Sequence, residues 1–125
     1  MQSFRGCSVI FPVVTRLLVM TLTEDEFRVL LMLYASGMDG IMQAEEVEQM
    51  LERTDAVTFC RVRRLFDRMC DKEVLDCIRE NKGKYLAAED AQRRLMNDIR
   101  QVVSADGRLT AMEDFFCKAI ERVLA

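Results

Sequence analysis

The feature that most constrains this chain is the spacing of its apolar residues, which recur at intervals of three and four along almost the whole length after residue 20. That period places them on one face of successive helices, and the segments between are too polar to form alternating strands. Phe27, Leu30, Leu31 and Tyr34 follow a Thr23-x-x-Glu26 capping box, so the first helix is expected from about Glu24 to Ser36. Met32 and Leu33 widen its apolar surface, which suits a helix at the centre of a bundle. A second, acidic helix is expected from about Gln43 to Arg53, with Val47, Met50 and Leu51 inward. Thr54 or Asp55 can cap a third, with Phe59, Val62, Leu65, Phe66 and Met69 inward and Arg61, Arg63, Arg64 and Arg68 outward. Asp71 to Glu80 reads either as a short helix or as a strand before an Asn81-Lys82-Gly83-Lys84 turn. The last two helices are expected over Ala88 to Ser104 and Thr110 to Leu124. The fold expected is therefore all-α, a single compact bundle of five to seven helices. At 125 residues the chain can bury one core.

Composition removes most chemistry. The chain has no histidine, which excludes Ser-His and Cys-His nucleophilic machinery and histidine-rich metal centres, and no phosphate-binding loop is present. We therefore expect no enzyme. A net charge of -3 gives no global attraction to nucleic acid or to an anionic membrane, so either partner would need a local basic patch. The five cysteines, Cys7, Cys60, Cys70, Cys77 and Cys117, show no C-x-x-C spacing and fall mostly at apolar helix positions; reduced thiols in a cytoplasm are expected. Residues 1–19 read as an N-terminal extension before a domain of residues 20–125. Arg16 interrupts their apolar run, Pro12 opposes a single long helix, and Met20 directly precedes the Thr21-Leu22-Thr23 start.

Two helix-loop-helix units share a loop. Met38-Asp39-Gly40-Ile41-Met42 leads to Glu45-Glu46, and Ala105-Asp106-Gly107-Arg108-Leu109 leads to Glu113-Asp114. Each has a glycine for a positive φ, an apolar anchor, and a carboxylate in the first turn of the next helix. The pattern matches the second half of an EF-hand loop, but Ala35 and Val102 stand where the leading aspartate belongs and Gly37 and Ser104 at the next ligand position. Two carboxylates per loop are too few for a tight calcium site.

From Leu30 to Glu46 and from Ile99 to Glu113 the chain resembles the TerB-like family, whose pattern is an apolar helix ending in Ala-Asp-Gly, an apolar anchor and an acidic start to the next helix, repeated near the end. The first loop departs from that pattern in having Gly37-Met38 before its aspartate. The resemblance implies an all-α interaction module tied to tellurite resistance and stress response. It also implies weak divalent-cation binding, on matching positions by Asp39, Glu45, Glu46, Asp106, Glu113 and Asp114, with no other cofactor. The charge segregation between the acidic second helix and Arg61, Arg63, Arg64 and Arg68 points to another protein as the partner.

The competing architecture is a winged helix-turn-helix. Residues 57–69 would then be a recognition helix with Arg61, Arg64 and Arg68 toward phosphates, and residues 73–79 and 84–87 the wing strands. Against it, the four outer arginines Arg61, Arg63, Arg64 and Arg68 neighbour the acidic second helix, and Asp67 stands four residues on from Arg63, so a salt-bridged surface is expected.

Overall fold

The computed structural model describes residues 22–37, 42–105, 107 and 110–125. Among them there are six helices and no strand. They are α1 (Glu24–Gly37), α2 (Ala44–Arg53), α3 (Ala56–Asp67), α4 (Asp71–Tyr85), α5 (Glu89–Val103) and α6 (Ala111–Leu124). The all-α bundle is as the apolar period requires. The proposed extension, residues 1–19, and Met20 lie outside the described residues.

Helix α1 is the axis. Phe27 and every residue from Val29 to Gly37 are buried, and the helix packs against each of the other five. Its apolar surface runs almost all round, so only a position with neighbours on every side removes it from water. Arg28, the half-buried exception, reaches Asp98 of α5 at 2.5 Å, and Asp98 also lies 4.0 Å from Arg53 of α2. Arg53 donates in addition to Gln101 at 2.7 Å, so one polar cluster ties α1, α2 and α5 together.

Four helices begin alike. The glutamate at the third helical position accepts a hydrogen bond from the backbone N–H of the capping residue: Glu26 from Thr23, Glu46 from Gln43, Glu73 from Cys70 and Glu113 from Thr110, at 2.9 to 3.0 Å. Each satisfies a donor that the helix itself cannot pair, and places a negative charge at the positive end of the macrodipole. Helix α3 is capped by Asp55, which accepts from the Thr58 N–H at 2.7 Å.

Residues 73–79 and 84–87 are not wing strands: α4 runs unbroken from Asp71 through the Asn-Lys-Gly-Lys segment to Tyr85, five residues beyond the shorter helix expected from sequence. The cause is tertiary. Tyr85 stacks at a tilt on Phe27 with ring centroids 5.6 Å apart and donates its hydroxyl to the Leu22 carbonyl at 2.6 Å. Asn81, buried, donates to the Cys77 carbonyl one turn back. These contacts outweigh the turn preference of Asn81 and Gly83.

Cys60, Cys77 and Cys117 are thiols, whereas Cys70 is disulfide-bonded, which departs from the expectation of uniformly reduced cysteines. Burial pushes the Cys77 thiol up to about 12 and the Cys117 thiol up to about 11, so neither is an activated nucleophile.

Candidate functional site

The acidic loops and the arginine face behave differently once folded. At the loops, Asp39 and Asp106 lie outside the described residues. Gly107 has the positive φ expected of it, 88°. Glu45 is exposed, while its neighbour Glu46 is fully buried and caps α2 through Gln43, so the two carboxylates leave the helix in different directions. Glu113, also buried, caps α6 through Thr110. Asp114 lies 3.0 Å from Lys118 and 3.6 Å from Arg100, and hydrogen bonding to Lys118 first, with the Arg100 charge behind it, holds its carboxyl below the ordinary range. No three acidic or cysteine side chains converge on a point that could hold a metal ion among the described residues.

On α3 the four outer arginines divide. Arg63 turns toward Asp67, 3.4 Å away and one turn on, with Met42 beside it. Arg61, Arg64 and Arg68, spaced three and four apart, share the other side. With Leu65 they form one wall of a groove of about 480 Å³. The opposite wall is the start of α1: Leu22, Thr23 and Glu26. Leu22 and Leu65 give the groove an apolar floor, continuous with a small closed space against Leu30, Val62 and Met69.

Electrostatics are unequal within the groove. Arg61 meets Glu26 at 2.6 Å, across a sequence separation no local pattern reveals. Arg64 and Arg68, both exposed, have no carboxylate within 4.0 Å among the described residues. The expected neutralisation by α2 does not occur. Glu45, Glu48 and Glu52 are exposed on α2 and form no ion pair with the α3 arginines among the described residues. Sequence reasoning found the arginines but assigned Thr23 and Glu26 to capping alone and Leu65 to the core. Glu26 does both jobs, because one carboxylate oxygen caps the Thr23 N–H and the other faces Arg61.

Comparison of the chain with family models, with curated proteins and with solved structures finds no match. No helix among the described residues is long and apolar enough to cross a membrane.

Proposed function

We propose that this chain is a non-catalytic, TerB-like interaction module that takes an acidic segment of a partner protein into the groove between α1 and α3. The observation that carries this reading is the pair of guanidinium groups of Arg64 and Arg68, held without acidic partners among the described residues at the rim of a groove with an apolar floor. Such a site has the size of an ordinary binding cleft, and its charge selects an anion while its floor rewards an adjoining apolar side chain.

The nucleic-acid reading has weaker support. The groove carries the carboxylate of Glu26 in its wall, and a helix occupies the place of the wing. The divalent-cation binding implied by the family resemblance has weaker support too, since Glu46 and Glu113 cap helices and Asp114 is ion-paired. A cytoplasmic setting, with a part in tellurite resistance or stress response, remains what the resemblance implies. The thiols Cys60, Cys77 and Cys117 suit a reducing compartment and the Cys70 disulfide does not.

The test is fluorescence polarisation at physiological salt with two probes, a labelled amphipathic glutamate-rich peptide and a labelled DNA duplex. The peptide should bind, and Arg64→Glu with Arg68→Glu should abolish binding. Duplex binding that weakens steeply with salt and disappears when Arg61, Arg64 and Arg68 become alanine would replace this reading with phosphate recognition.

A further inference from the structure

We propose that the acidic segment is helix α2 of a second copy of this chain, so that the module associates with itself. The inference rests on the reading of the groove just given and names its occupant.

Spacing is the first argument. Arg61 and Arg64 on α3 and Arg68 at its C-cap stand three and then four residues apart, and Glu45, Glu48 and Glu52 stand three and then four apart on α2. Arg64 and Arg68, the two without acidic partners among the described residues, are one turn apart, as are Glu48 and Glu52. One turn is about 6 Å of rise on either helix, so both pairs can meet at once in either relative direction.

The second argument is that, among the described residues, the α2 glutamates and the groove arginines Arg64 and Arg68 do not pair with each other within one chain. Among the described residues no ion pair joins the α2 glutamates to the α3 arginines, although the two helices are consecutive and touch. Every one of these six side chains belongs to an exposed residue. Opposite charges segregated on neighbouring surfaces of one molecule are complementary to the same surfaces of another.

Leu51 is the third. It is 40% exposed, large for a leucine in a bundle, and lies on the turn between Glu48 and Glu52. A helix docked by those two glutamates carries a leucine beside them, and the groove offers Leu22 and Leu65 as an apolar floor. The other exposed large apolar side chains among the described residues are Val57 in the first turn of α3 and Met112 and Phe115 on α6, none of them beside a row of glutamates like that of α2. Because each copy carries both the groove and the acidic helix, a two-fold arrangement makes the contact twice.

Sedimentation measures the association directly. Exposed ion pairs contribute little each, so a dissociation constant on the order of 0.1 mM is expected. The mass of the wild-type protein should rise from one chain toward two between about 10 µM and 1 mM. Raising salt to about 1 M, where the screening length falls to about 3 Å, should reverse the rise. Arg64→Glu with Arg68→Glu should remain monomeric, and so should Glu48→Arg with Glu52→Arg. An equimolar mixture of these two variants should associate again, because each supplies the charge the other's groove lacks. Recovery in the mixture also shows that neither variant is misfolded.

A wild-type chain that stays monomeric throughout, or a mixture that does not recover, would overturn the proposal. A labelled peptide of residues 43–54 and an unrelated acidic peptide of equal charge separate the two levels of inference. If both peptides bind the groove of a monomeric chain, self-association falls and the acidic-segment reading stands. If neither binds, that reading falls as well.

Discussion

Helix α1 and the neighbouring pair α2 and α3 treat charge in opposite ways. In α1 most residues are buried, and two of its charged side chains are engaged with other helices: Glu26 with Arg61 and Arg28 with Asp98. In α2 only Glu46 and Met50 are buried, and the outer glutamates form no ion pair among the described residues. Helix α3 buries Thr58, Phe59, Val62 and Phe66, and Arg64 on it and Arg68 at its C-cap form no ion pair among the described residues. Charges that the fold uses are thus paired across helices. Those left over are sorted by sign onto adjacent surfaces, where they add little to stability and can direct association.

The sharpest way to break this contrast is to compare leucines. Leu31, fully buried in α1, should cost about 2 to 5 kcal/mol when changed to alanine, through lost burial and the cavity left behind. Leu51→Ala on α2 should stay within about 0.5 kcal/mol in the same urea unfolding experiment, since its side chain is 40% exposed. Equal costs would show that α2 belongs to the core as fully as α1.

Next in size are the capping glutamates. Glu46→Ala and Glu113→Ala should each destabilise by about 1 kcal/mol, and Glu45→Ala by much less, because only the first two accept from a capping N–H. If instead calcium or magnesium stabilised the wild type and the effect vanished in Glu113→Ala, the second loop would be an ion site.

Acid and alkali probe the contrast with smaller effects. Hydrogen bonds from Thr58 lower the Asp55 carboxyl below its ordinary 3.8. A group lowered by folding stabilises fully above its unfolded value, and the contribution is lost as pH falls below about 3.8 through the folded value. Asp55→Asn should flatten that part of the acid unfolding curve. Cys77 and Cys117 run the other way. Raised from 9.0 to about 12 and about 11 by burial, their contribution is complete below pH 9.0 and is lost as pH rises through those values. Exposed Cys60 should react with a maleimide at neutral pH well before either, by mass spectrometry.

Smallest of all should be Arg64→Ala and Arg68→Ala, each within about 0.5 kcal/mol of wild type, while Arg28→Ala costs more because it strands Asp98 at the junction of three helices. Similar values for all three would remove the distinction between charges used by the fold and charges left for a partner.

Much of this was legible in the residues, and the limits are physical. The apolar period marked five of the six helices and left α4 open between helix and strand, while the Thr23 and Asp55 caps are local interactions readable over three residues. The length of α4 was not readable, because the local signal at Asn81-Lys82-Gly83 favours a turn and only the packing of Tyr85 on Phe27 overrides it. The repeated loop pattern put Glu46 and Glu113 each in the first turn of the next helix, where each accepts from the capping N–H. It could not distinguish a capping carboxylate from a metal ligand, since both occupy the first turn of a helix.

What the sequence alone determined is which surfaces are apolar, acidic or basic, because that follows from residue type and helical period. Which of those charges neutralise each other was decided only by tertiary structure. Arg61 and Glu26 are far apart in the chain and meet because α3 packs on α1, while the nearer acidic face of α2 forms no ion pair with the α3 arginines among the described residues. Ion pairing depends on a few ångströms of separation, and helical period fixes direction about one axis without fixing the distance between two.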